Sequence, residues 1–135
     1  MYNWHFGNGA SLEFHSGSAI TTFGSSMMSG AGCVSYSNDQ GELMFYSNGG
    51  EDTNWDGFVW NRNHDVMPNG DIKGITRCSS SPQSALVIPK SGSEYYLFTI
   101  DCVGGDGLRY SIIDMSLDNG LGDLTAVGTL LLGGL

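Results

Sequence analysis

Asn or Asp followed by Gly punctuates this chain from end to end: Asn8-Gly9, Asn48-Gly49, Asn69-Gly70, Asp106-Gly107 and Asn119-Gly120. Asn and Asp tolerate positive φ and Gly adopts it freely, which is what a tight hairpin turn requires. Between the turns lie short runs rich in Val, Ile, Tyr and Phe, at 33–37, 42–46, 58–60, 85–89, 95–100 and 108–115. Several alternate with period two, and no window keeps a 3.6-residue apolar period over three turns. The expected fold is all-β.

A repeat organises these runs. Val34 and Val87, Leu43-Met44-Phe45 and Tyr96-Leu97-Phe98, and Val59 and Ile112 all stand 53 residues apart. A unit of about 50 residues holding three or four strands is the signature of a β-propeller blade. The spacing therefore predicts an N-terminal strand and loop segment over 1–32, a first blade-like repeat over 33–82 and a second over 83–135. The expectation is about two antiparallel sheets of three or four strands, with a β-sandwich as the alternative. Two blades do not close a propeller. Such a unit is expected to self-associate or to belong with the remaining blades of a longer chain, with Leu130, Leu131 and Leu132 at the contact.

Charge narrows the partners. Five Lys and Arg against 14 Asp and Glu give a formal net charge of −9. A phosphate-backbone binder needs the opposite sign, so nucleic acid is excluded, and an anionic membrane surface is disfavoured. No stretch reaches the roughly 20 apolar residues of a transmembrane helix, so no membrane insertion is expected. The opening Met1-Tyr2-Asn3-Trp4 has neither the basic nor the apolar region of a signal peptide. A leader, for an exported protein, is expected to have been removed already. Cys33, Cys78 and Cys102 show no CxxC pair and no metal-type spacing, leaving one bridge plus one free thiol, or three thiols, open.

Several segments carry a resemblance. They are Asn3-Trp4-His5-Phe6-Gly7; Gly41-Glu42-Leu43 with Phe45-Tyr46; Trp60-Asn61-Arg62-Asn63-His64; Gln83 to Lys90; and Leu108-Arg109-Tyr110-Ser111. Together they make nearly the whole chain resemble the N-terminal region of secreted surface proteins of Bacteroidota. Those proteins carry a gliding-motility-associated, type IX secretion sorting domain. The resemblance implies a propeller-like region displayed outside the cell, with roles in adhesion and motility. The loop from Gly50 to Gly57 looks longer here than in the family.

Candidate sites follow from local chemistry. Asp52, Asn54 and Asp56, followed by Gly57, set oxygen side chains at alternate positions before a sharp turn, as calcium loops do. They are the candidate calcium ligands, and calcium is the one candidate cofactor. The twelfth position of an EF-hand loop would be Asn63 instead of Glu, so a solvated turn is the competing reading. Trp55 and Trp60 flank the loop and could stack on a sugar ring; packing between sheets is the other use of Trp. A catalytic reading would pair His64 with Cys33, Cys78 or Cys102. No GxSxG elbow accompanies it, and Asn61, Asn63 and His64 suit hydrogen bonding to turn backbone. Arg109, between Leu108 and Tyr110, is expected to pair with Asp101, Asp106 or Asp114.

The reading as a whole is a non-enzymatic, extracellular, cell-surface module for adhesion, structural assembly or scaffolding, with a glycan or protein ligand. A calcium-dependent carbohydrate-binding module is the alternative, and a hydrolase using His64 the third.

Overall fold

The structure, a computed structural model, describes residues 2–51, 54–76, 81–102, 105 and 107–133. The protein is all-β, 52% strand and 2% helical. β1 (Asn3–Phe6), β2 (Ala10–Glu13) and β3 (Ile20–Thr22) form a three-stranded antiparallel sheet. β4 (Val34–Ser37), β5 (Leu43–Ser47), β6 (Phe58–Asn61) and β7 (Val66–Asp71) form a four-stranded meander. β8 (Ala85–Ser91), β9 (Glu94–Ile100), β10 (Leu108–Asp114) and β11 (Asp123–Leu132) form a second meander with the same order. None of the three sheets is closed into a barrel or propeller. Among the described residues no helix is long and apolar enough to cross a membrane.

Alternation along β5 and β6 explains how the sheets pack. Successive strand residues point to opposite faces. Phe45 and Val59 face the second meander and bury themselves with Met67, Leu97 and Ile113. Their neighbours Tyr46 and Trp60 face the N-terminal segment and pack with Met27, Cys33 and Phe58. The middle sheet is thus covered on both sides. Its first strand, β4, lies against β1 on one side and β8 on the other, while β7 lies against β11.

Pairing register refines the repeat. Ser47 and Ile100 keep the 53-residue step, but Val59 pairs with Ser47 and Leu108 with Ile100, a step of 49 on the third strands. On the first strands Tyr36 pairs with Phe45 and Leu86 with Phe98, a step of 50. The odd difference turns Val87 over: Val34 and Val87 are not equivalent, and both pack on the shared core from opposite sheets. Phe45 and Phe98 are equivalent, yet Phe45 is fully buried while Phe98 faces away from the first meander and is half-exposed.

One expected turn is a strand. Asn69-Gly70 lies inside β7, with Pro68 beside it. Proline is tolerated there because β7 is an edge strand. Gly70 is required by close approach: a Cβ at this position would sit 2.6 Å from the Val59 carbonyl oxygen. The Asp123 carboxylate then ties the edge to the second meander, accepting from the Asn69 N–H and from Asn69 Nδ2, each at 2.7 Å.

The equivalence of Phe45 and Phe98 gives a direct test. Phe45→Ala should cost about 3–5 kcal/mol of unfolding free energy, the range for truncating a fully buried Phe. Phe98→Ala should cost clearly less, and urea titration of the two variants measures the difference.

Candidate functional site

The segment from Trp60 to Asp65 forms a tight connection between β6 and β7. The Asn61 N–H donates to the Asp65 carbonyl at 2.9 Å, closing the loop, and Asn61 Oδ1 accepts from the N–H of Asn63 at 2.8 Å and of Asp65 at 3.3 Å. His64 completes it in the left-handed region, φ 68°. Arg62 and Asn63 are exposed. The loop delivers His64 to a cluster of rings drawn from three parts of the chain.

Tyr46 is the centre of that cluster. The His5 imidazole from β1 stacks on it, centroids 4.5 Å apart and planes within 7°. Trp60 also stacks on Tyr46, at 5.2 Å and 18°. The Tyr46 hydroxyl lies 2.9 Å from His64 Nδ1 and accepts from the Ser26 N–H at 3.0 Å. Ser26 Oγ in turn donates to the His64 carbonyl at 2.9 Å. The two imidazole centroids are 5.6 Å apart. His5 is 7% exposed and its Nδ1 is buried without a partner. Burial, with the nearby His64 adding to it, pushes the His5 imidazole down to about 4. Burial also raises the Tyr46 phenol.

Trp60, 4% exposed, packs against Tyr46 and Phe58, so it offers no platform to a sugar ring; Trp55 is half-exposed. The His64 Nδ1 partner is a phenol, not a thiol. The Cys33 thiol, raised by burial, donates weakly to the His5 carbonyl at 3.5 Å. Cys33 is free and Cys102 is disulfide-bonded; Cys78 lies outside the described residues. His5, Tyr46 and Ser26 were not singled out from the sequence. Their one signal is period two in Asn3-Trp4-His5-Phe6, which sets His5 on the face opposite Trp4 and Phe6.

The calcium candidates are only partly described. Asp52 lies outside the described residues. Asn54 is exposed, and the Asp56 carboxylate forms an ion pair with Lys73 at 2.9 Å. Among the described residues no group of three His, Cys, Asp or Glu side chains could hold a metal ion. Arg109 donates to the Gly128 carbonyl at 3.0 Å, and its Nε is buried without a partner. Of its three expected partners, Asp114 is engaged by Ser93 and Ser116, and Asp106 lies outside the described residues.

Two concave surfaces meet at β8. A cavity of about 590 Å³ lies between β1, β4 and β8, walled by Trp4, Phe6, Leu12, Cys33 and Leu86 among others. A smaller one of about 390 Å³ runs from Leu86 over Ile88, Phe98, Ile100 and Leu108. The second belongs to the outer face of the β8–β11 sheet, where Tyr96, Phe98 and Tyr110 form a ring cluster with centroids 5.7–6.4 Å apart. Leu86, Ile88, Ile100, Leu130, Leu131 and Leu132 are exposed. No protein-family model, no curated protein and no solved structure matches the chain.

The histidine stack predicts a pH dependence. The folded His5 pKa of about 4 lies below the unfolded 6.5, so the unfolded chain binds the proton better. Stability from this group is complete above 6.5, falls as pH drops and is lost by about 4, an effect of about 3 kcal/mol. Unfolding free energy measured at pH 7 and pH 4.5 should show the fall. His5→Phe, which keeps the stack and removes the titration, should show a smaller one.

Proposed function

We propose that the chain is a non-enzymatic assembly module of an exported, surface-displayed protein, its three sheets forming an arc of a propeller-type stack. The observation that carries this reading is a contrast between equivalent faces. The Phe45 face of the first meander is covered by a four-stranded sheet, and no sheet of the described residues covers the matching Phe98 face of the second. The placement of the first strands β1, β4 and β8 side by side supports a fan of sheets about one line. Propeller blades are arranged in this way around their channel. The disulfide at Cys102 supports export, because such bonds persist in oxidising compartments. His64 serves this reading as a packing and turn residue that holds the N-terminal segment on Tyr46.

A tandem chain in which residues 34–132 occur twice tests the stacking. The added meander should cover the Phe98 face of the first unit. At equal high dilution the tandem chain should therefore melt at a higher temperature than the single chain. Equal melting temperatures would overturn the reading.

A further inference from the structure

We infer that a second copy of this chain covers the outer face of the β8–β11 sheet, giving a two-fold symmetric dimer. The inference rests on the sheet-stacking reading above and names its partner. Three independent features of the face support it.

The first is the sequence of its strands. Leu86-Val87-Ile88 and Tyr95-Tyr96-Leu97-Phe98 are continuous apolar runs, the pattern of strands buried on both faces. A sheet with one wet face alternates apolar and polar residues instead. Here Val87 and Leu97 take the inner face, and Leu86, Ile88 and Phe98 are left outside. Contiguous exposed apolar patches of this kind mark interaction sites.

The second is precedent inside the molecule. The same face of the first meander is satisfied by another four-stranded sheet, through Leu97, Ile113 and Leu124. In a solution of this chain alone, the only further sheets belong to other copies. The depression among Leu86, Ile88, Phe98 and Leu108 would receive side chains of the facing copy.

The third is charge. A net charge of −9 opposes association over most of the surface. On the strands of this sheet the acidic residues are Glu94, Asp114 and Asp123, and pairing aligns them in one row at one end. Each is engaged: Glu94 by Lys90 at 2.7 Å, Asp114 by Ser93 and Ser116, Asp123 by Asn69. Arg109 is turned to the Gly128 carbonyl. The rest of the face is uncharged, so this is where two copies repel least. A two-fold axis lying across the strands sets the two acidic rows at opposite ends of the contact. An isologous contact of this type saturates at two copies.

Light scattering on the full chain, separated by size at several concentrations, reads the mass directly. The expected result is twice 14.4 kDa at high concentration, falling towards 14.4 kDa on dilution. Leu86→Glu with Ile100→Glu changes two residues already exposed in the single chain, sets like charge against the partner's acidic row, and should weaken the dimer at least tenfold. Ile88→Glu provides a second reading should the double variant fail to fold. Phe23→Ser, at a residue 90% exposed and off this sheet, should leave the dimer unchanged. A mass of 14.4 kDa throughout, a dimer that survives the β8–β9 substitutions, or larger assemblies abolished by Phe23→Ser would each overturn the inference. The tandem chain separates the two claims. A monomeric single chain with a stabilised tandem overturns the dimer alone, whereas a tandem without gain overturns the stacking reading itself.

Discussion

Alternation on a strand buried from both sides is the constraint from which the rest of this structure follows. A strand with one wet face places every second residue in water. β5 and β6 place none there: Phe45 and Val59 go one way, Tyr46 and Trp60 the other. Two separate covers are then required, and the chain supplies them from opposite directions in sequence. The second meander covers the Phe45 side, and residues between 2 and 33 cover the Tyr46 side. That division explains why the molecule has two core clusters instead of one, and why its N-terminal sheet can be so short.

The Tyr46 side is held by a different kind of interaction. Three strands of four residues or fewer bury little apolar area, so ring stacking and specific hydrogen bonds carry more of the attachment. Tyr46 concentrates them, with His5 stacked on it, and with Ser26 and His64 at its hydroxyl. The imidazole on Tyr46 has a cost that a phenyl ring would not have: a buried Nδ1 without a partner and a depressed basicity. The attachment of the N-terminal sheet is therefore the part of the fold most exposed to acid. The core between the meanders has Tyr36 and Tyr95 packed against it, and among the described residues it includes no imidazole.

Much of the second meander was legible in the sequence, because β8, β9 and β10 are apolar runs bounded by turn residues. β7 was not, since Pro68, Asn69 and Gly70 carry the marks of a turn. Only the edge position and the approach of the Val59 carbonyl explain why they form a strand. The repeat was visible but its step was not constant. Tyr36 and its partner Phe45 are 9 residues apart, whereas Leu86 and Phe98 are 12 apart, and a change of odd length reverses the faces, as at Val34 and Val87. The structure folds the Trp60-to-His64 motif as a turn closed by Asn61, but its partner Tyr46 could not be found from spacing. That contact joins β5 to a loop 18 residues away and then to β1, through tertiary packing alone.

The near-symmetry of the two meanders makes their difference informative. Equivalent strands present an aromatic residue at the same place, Phe45 in one and Phe98 in the other, while around it Ser47 and Asn61 of the first meander correspond to Ile100 and Tyr110 of the second. If the second meander were designed to end in water, its outer positions would carry the Ser, Thr and Lys that solvate a terminal sheet, as capping units of repeat proteins do. Instead the acidic residues of that sheet are gathered in one row at an end, and the centre of its outer face is Tyr, Phe and Ile. A capped sheet and a stacking sheet differ in this respect more than in topology. By that criterion the outer face of the second meander has the composition of a stacking sheet, not of a capping one.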